Sequence, residues 1–154
     1  MSADDAGAMA RRIQASGGTV VFTNGVFDLL HPGHVQYLQD ARALGTALIV
    51  AVNSDRSVRA IKGPARPVNP EEERVEILLA LGCVDADVIF DEDTPHQIIS
   101  AVQPDILVKG ADWGPGHIVG RDVVEARGGT VVRIALTPGL STTELIRRVH
   151  GKTP

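Results

Sequence analysis

The stretch from Thr19 to Leu44, TVVFTNGVFDLLHPGHVQYLQDARAL, decides the fold. It begins as an apolar run, Thr19-Val20-Val21-Phe22, of the kind that forms a strand buried on both faces. The run breaks at Asn24-Gly25 and leads to His31-Pro32-Gly33-His34. From Val35 the period changes: Val35, Leu38 and Ala41 recur at helical spacing, while Gln36 and Asp40 face away. Gly45 stands where a helix C-terminus favours a left-handed residue. Two histidines and a glycine therefore sit at a helix start, beyond the carboxyl end of a first strand. In a parallel sheet that corner is where ligands bind, and a helix N-terminus there favours phosphate. The expected occupant is a nucleotide, with a second substrate brought up to attack it.

Outward from this stretch the chain keeps alternating. Residues 4–15 suggest a leading helix with Gly7 inside it, ended by Ser16-Gly17-Gly18. Residues 1–18 are set apart as an extension, and 19–150 as one domain. Ala47 to Asn53 is a second apolar strand, and Asp55 caps a short helix through Ala60. Residues 61–68 read as a loop with two prolines, a glycine and the cations Lys62 and Arg66. Asn69 is the expected N-cap of the next helix, with Pro70 at its first position and Glu71, Glu72 and Glu73 at the positive end of its dipole. Val75, Leu78, Leu79 and Leu81 form its apolar face, and Gly82 stops it. Strands follow at 87–90, 105–109 and 130–136, with helices opening at Thr94-Pro95 and around 122–126. A glycine-rich loop occupies 110–116, and Ser141-Thr142-Thr143-Glu144 is a capping box for a last helix with Leu145, Ile146 and Val149 inward. Five strands alternating with helices predict an α/β fold, a Rossmann-like doubly wound five-stranded parallel sheet in a single domain.

Composition narrows the class. The 154 residues are 44% hydrophobic and 22% charged, enough for a sizeable core without covalent staples. A formal net charge of −4 argues against a general nucleic-acid binder, but a phosphate site needs only a few local cations. The single cysteine, Cys83, excludes an internal disulfide and a thiolate metal cluster, and its neighbours Leu81, Gly82 and Val84 suit a buried thiol. Neither a signal core nor a transit pattern opens the chain, and no apolar run approaches the roughly 20 residues of a membrane helix. Cytoplasmic location without membrane association is the expectation.

The unusual residues fall after strand ends. Asn24, Gly25, Asp28, His31 and His34 follow the first strand, and Lys62 and Arg66 the second. Lys109, Gly110 and Asp112 close the fourth, and Ser141, Thr142 and Thr143 follow the fifth at a helix start. Parallel strands share their carboxyl ends, so these segments converge on one sheet edge. Two helix N-termini, several cations and two imidazoles in one crevice describe a polyphosphate site. Each piece has a plainer alternative. The histidines could be caps or metal ligands, although a helical zinc pair usually has four-residue spacing and a third ligand. Ser141 could be a simple cap, and Lys62 and Arg66 solvated loop charges. No G-x-S-x-G elbow, P-loop or G-x-G-x-x-G is present, which removes the usual support for hydrolase, kinase and dinucleotide readings.

Thr23-Asn24-Gly25-Val26-Phe27-Asp28-Leu29-Leu30-His31-Pro32-Gly33-His34 resembles the leading motif of the cytidylyltransferase-like nucleotidyltransferases, with their H-x-G-H element. Ser141-Thr142-Thr143 is similar to their carboxyl-terminal motif, and the resemblance runs from about Val20 to Val149. Within the family, Asn53-Ser54-Asp55, Lys62-Gly63, Arg66-Pro67-Val68-Asn69-Pro70, Glu92-Asp93-Thr94-Pro95 and Leu107-Val108-Lys109-Gly110 look like the heptose 1-phosphate adenylyltransferase branch. The resemblance implies transfer of AMP from ATP to D-glycero-D-manno-heptose 1-phosphate, giving ADP-heptose and pyrophosphate for lipopolysaccharide core synthesis, with Mg²⁺ carried on the triphosphate and a homodimer as assembly. The chain would be the stand-alone form, without a sugar-kinase domain.

It also implies roles. His31, His34 and Lys62 are catalytic. Thr23, Asn24, Gly25, Val26, Phe27, Gly33, Lys109, Gly110, Asp112, Ser141, Thr142 and Thr143 join the histidines in binding nucleotide. Asp28, Lys62, Arg66 and Arg74 bind the acceptor, and no protein side chain ligates metal. One departure bears on the nucleotide. Glycerol-phosphate cytidylyltransferases carry an arginine five residues before the serine of the second motif, where this chain has Leu136. Lys109, where that pattern is apolar, is positioned to restore the charge. A cytidylyltransferase acting on a small alcohol phosphate such as glycerol 3-phosphate is the alternative enzyme, and a non-catalytic nucleotide-binding module the alternative of another class.

Overall fold

In the computed structural model, which describes residues 1–111 and 117–151, five strands form one parallel sheet. They are β1 (Val20–Gly25), β2 (Ala47–Asn53), β3 (Ala86–Phe90), β4 (Ile106–Gly110) and β5 (Thr130–Ile134), in the order β3-β2-β1-β4-β5. β2 is buried at every position, as a central strand covered on both faces must be. The chain winds outward from β1 to β3, then returns to lay β4 on the other side of β1. That reversal puts a crevice between the carboxyl ends of β1 and β4, where open α/β sheets bind ligands. The paired register of β1 with β4 covers Val21↔Ile106 and Phe22↔Leu107, although both strands run three residues further. The strands part there, and the crevice opens.

Two apolar layers fill the sheet faces. One gathers Val20, Phe22, Ile49, Leu107 and Val124; the other gathers Val21, Leu38, Leu48, Val50, Leu78 and Val108. Helix α1 (Ala3–Ala15), set apart on sequence grounds as an extension, contributes Ala6 and Ala10 to the first layer. Gly7, a weak residue for a helix interior, is there for approach: a Cβ would stand 2.4 Å from the Ala101 carbonyl of α5 (His96–Val102). Gly45, after α2 (Pro32–Arg42), is likewise a close-approach residue rather than a left-handed cap. A Cβ there would meet Thr19 O and Val21 Cγ2 at 2.7 Å.

Several boundaries differ from the sequence expectation. Helix α3 runs Asp55–Lys62, and its cap is Ser54, whose hydroxyl accepts from Ser57 N. Lys62 thus ends a helix instead of lying in a loop, and Gly63 supplies the positive φ of 96° after it. Helix α4 is Glu71–Leu79 with Pro70 at the cap position and no side-chain cap, while the backbone N–H of Asn69, one residue earlier, donates to Asp28. Leu79 faces solvent and Arg74 is buried in its place. Helix α6 is Arg121–Ala126, and β5 stops two residues before Leu136. Helix α7 (Thr142–Gly151) has no buried residue, so Leu145 and Ile146 are only partly covered and Val149 is exposed. Among the described residues, no helix is long and apolar enough to cross a membrane.

Candidate active site

The crevice is a cleft of about 360 Å³ bounded by the β1–α2 loop, the end of α3, Gly110 and the start of α7. Of the residues expected there, Asn24, Gly25, Val26, Phe27, Asp28, His31, Gly33, His34, Lys62, Arg66, Gly110, Ser141, Thr142 and Thr143 line it. Asp112 lies outside the described residues.

His31 is the N-cap of α2, and Pro32 fills the first helical position, where its missing N–H costs nothing. Gly33 N donates to His31 Nδ1 at 3.1 Å, and His31 N donates to His34 Nδ1 at 3.2 Å. The two rings stack with centroids 3.9 Å apart. In a neutral imidazole an accepting Nδ1 puts the proton on Nε2, so both rings offer an Nε2–H donor. Neutrality follows from the surroundings. Burial lowers His31, and burial with the neighbouring His31 charge pushes His34 down to about 4 against the pull of Asp28. At pH 7 the pair is two preset hydrogen-bond donors, not a cationic clamp. Gly33 serves this arrangement, because a Cβ would lie 2.8 Å from His31 Cε1. The space it leaves is taken by the imidazole, rather than held open for a phosphate.

Asp28 ties three segments together. Its buried carboxylate accepts from Arg66 Nε (3.0 Å), Val68 N (2.8 Å) and Asn69 N (3.0 Å), while its carbonyl accepts from Thr142 Oγ1 (2.5 Å). Burial works to raise its pKa, but the Asn69 and Val68 amides and the Arg66 guanidinium outweigh it and hold the carboxyl below the usual range. Residues Phe27 and Leu29, on either side, adopt positive φ of 51° and 48°. Left-handed backbone costs a branched or bulky side chain about 1–2 kcal/mol, and here the Asp28 anchors hold it. Asp28 therefore shapes the loop that carries Arg66, and its carboxylate oxygens are already committed to protein donors.

Four expected ligands have other duties. Arg74 is 1% exposed and spends its guanidinium on Asn69 O, Val26 O and Asp55 Oδ1 at 2.7–3.0 Å. It buttresses the cleft from behind and is not among the residues that line it. Thr23 is fully buried, its hydroxyl donating to Val108 O at 3.0 Å across the parted strands. Lys109 is 8% exposed and donates to Asn24 Oδ1, so the side chain that lines the cleft is Asn24. Burial lowers the Lys109 pKa to about 8. Thr142 lines the cleft, but its hydroxyl hydrogen goes to Asp28; it anchors α7, and Ser141 and Thr143 flank it. Glu144 N caps on Ser141 Oγ at 3.0 Å, while the Glu144 carboxylate pairs with Arg147, so the reciprocal arm of the expected capping box goes elsewhere.

Tyr37, Leu136, Thr137 and Leu140 also line the cleft and were not assigned to it from sequence. Tyr37 could have been found, since it lies three residues after His34 on the same helix face. Among the described residues, no group of three or more His, Cys, Asp or Glu could hold a metal ion.

The cytidylyltransferase-like family model matches residues 22–148. The chain belongs to the cytidylyltransferase-like family. Among curated relatives it is 57% identical over 133 residues to the bifunctional protein HldE of Syntrophotalea carbinolica, covering 86% of this chain and 27% of that protein. It is 49% identical over 150 residues to HldE of Azorhizobium caulinodans, covering 97% of this chain and 31% of that protein. The chain thus spans less than a third of the length of these relatives. A crystal structure of a lipopolysaccharide core biosynthesis protein from Thermoplasma volcanium superposes with a TM-score of 0.64 at 30% identity, covering 79% of this chain and 98% of that one. The family match begins inside β1 and ends inside α7, so both motifs that face the cleft fall within it.

Proposed function

We propose that the protein transfers AMP from ATP to D-glycero-D-manno-heptose 1-phosphate, releasing pyrophosphate and forming ADP-heptose. The observation that carries the reading is the stacked pair of neutral histidines, each offering an Nε2–H, at a helix N-terminus across the cleft from Ser141 and Thr143. The high identity to bifunctional HldE proteins, and the likeness to a protein titled for lipopolysaccharide core synthesis, support a nucleotide-activated core sugar as product.

A sugar phosphate has a second pKa near 6 and is largely dianionic at pH 7, so it needs no general base. One of its oxygens attacks the α-phosphorus of ATP; the bond from that phosphorus to the bridging oxygen breaks, and pyrophosphate departs with the electron pair. The protein supplies alignment and electrostatics. His31 and His34 donate from Nε2 to the α-phosphate and triphosphate oxygens as charge develops. Neutral donors suit this role because they strengthen with the developing charge without requiring a proton transfer. Lys62, exposed at the end of α3, bridges acceptor and α-phosphate, and Arg66, steered by Asp28, meets the acceptor phosphate. The start of α7, with Ser141 and Thr143, takes the departing pyrophosphate. Mg²⁺ enters as part of the Mg·ATP substrate, held by triphosphate oxygens.

The test offers ATP or CTP with each anomer of heptose 1-phosphate and with glycerol 3-phosphate, and measures pyrophosphate release. Release with ATP and one heptose anomer is expected. Release only with CTP and glycerol 3-phosphate would make the protein a cytidylyltransferase, and ATP binding without release from any acceptor would make it a binding module.

A further inference from the structure

We infer that Lys109 is a positioning residue that fixes which end of the Asn24 amide faces the cleft, so that Asn24 presents its NH₂ to an acceptor atom of the bound nucleotide. The inference rests on the cleft being the nucleotide site.

Beyond Phe22 and Leu107 the paired register of β1 and β4 ends, and side chains bridge the gap. Thr23 Oγ1 donates to Val108 O, and one residue further Lys109 Nζ donates to Asn24 Oδ1. Asn24 lines the cleft and Lys109 lies beneath it, nearly buried. An amide side chain can turn over at little cost when its surroundings accept either end. An ammonium removes that freedom: it has three donors and no acceptor, so only Oδ1 can face it. The Nδ2 end is then the half turned toward the ligand, as a donor pair.

The arrangement keeps the positive charge one side chain back from the ligand. A lysine in direct contact would bind any oxyanion loosely, as a point charge on a flexible stem. An amide of fixed orientation presents directed donors instead, and discriminates against a ligand that presents a donor there. Sequence placed both Lys109 and Asn24 on the nucleotide; the structure sets Asn24 between Lys109 and the cleft.

Three variants test this by measuring Mg·ATP affinity, with thermal unfolding as the fold control. Asn24→Asp keeps an oxygen for Lys109 but removes both donors, and should weaken ATP binding about ten- to hundredfold without lowering the unfolding temperature. Lys109→Met keeps the buried volume but lets the amide turn over, and should weaken ATP binding about threefold to tenfold. In an Asn24→Ala background, Lys109→Met should have no further effect on ATP affinity, which a merely structural lysine would not predict. Wild-type ATP affinity in folded Asn24→Asp, or equal effects of Lys109→Met with and without Asn24, overturns the inference and leaves the function reading intact. A wild-type protein that binds no Mg·ATP overturns both.

Discussion

Replacing Asp28 by Asn probes the point where three segments of the site meet. The substitution keeps the side chain's shape but exchanges one accepting oxygen for an NH₂. Whichever end carries the NH₂, it faces a donor: Asn69 N on one side, or Val68 N and Arg66 Nε on the other. The less damaging orientation still loses the Asn69 bond and leaves Arg66 without its counter-charge. Breaking a buried pair from one side costs about 3–5 kcal/mol. Because the Arg66 side chain keeps 14% of its exposure, the lower end, about 3 kcal/mol, applies. For a protein of this size that lowers Tm by about 6–12 °C. The loop at 66–69 should also lose its shape, raising KM for the sugar phosphate about tenfold while ATP affinity changes less. Hydrogen exchange should quicken at Val68 and Asn69 first. A double-mutant cycle with Arg66→Ala should give a coupling above about 1 kcal/mol. The pH dependence has a defined sign. A depressed carboxyl stabilises the fold above the ordinary carboxylate range and loses that contribution as pH falls through its lowered folded value, so Asp28→Asn should flatten that part of the acid limb. An Asp28→Asn protein with wild-type Tm, wild-type acceptor KM and unchanged exchange would refute the reasoning.

Further outcomes follow from single contacts. Gly33→Ala puts a Cβ 2.8 Å from the His31 ring; kcat should fall about a hundredfold with little change in Tm, and an unchanged kcat would show that the stacked geometry is dispensable. Arg74→Met should lower stability by about 3 kcal/mol in urea unfolding, and an unchanged midpoint would remove Arg74 from the scaffold behind the cleft. Asp87, buried on β3, has its carboxyl pushed up to about 6 by burial, with the Met1 amino group opposing. Its folded value is raised, so stability drops as pH climbs from about 4 to 6. Asp87→Asn should therefore stabilise at pH 7.5 by up to about 3 kcal/mol and not at pH 4; equal stability at both values would show that the carboxylate is adequately solvated in the fold.

The sheet and the site's location were legible because both depend on local signals that nothing in the tertiary structure overrides. Unbroken runs such as Ala47 to Asn53 leave no option but a doubly covered strand, and strand ends in a parallel sheet must converge. The roles of individual side chains were less legible, because they depend on which donor reaches which acceptor across the fold. Arg74 looked like a ligand by charge, and its partners Asn69, Val26 and Asp55 place it behind the cleft; Asp28 lines the cleft, but its carboxylate is held by protein donors that the sequence does not reveal. Lys109 was read as a contact, and the parting of β1 from β4 set Asn24 between it and the cleft. Helix boundaries slipped too: Asn69 is a good cap by type, yet α4 starts one residue later with Pro70 at the cap position, and the Asn69 backbone N–H donates to Asp28, forty-one residues away in sequence. The left-handed turns at Phe27 and Leu29 carry no sequence signal, since neither residue favours that conformation.

The central claim is that the α-phosphorus of ATP is the atom attacked, with His34 donating to its oxygens. The most direct test follows label from ATP during turnover with heptose 1-phosphate, in the wild-type protein and in His34→Ala. α-Labelled phosphorus should appear in the sugar nucleotide and γ-labelled phosphorus in pyrophosphate. His34→Ala, still folded, should transfer α-label about a hundred- to a thousandfold more slowly. Label from the γ position in the sugar product, or α-label transferred at the wild-type rate by His34→Ala, would contradict that claim.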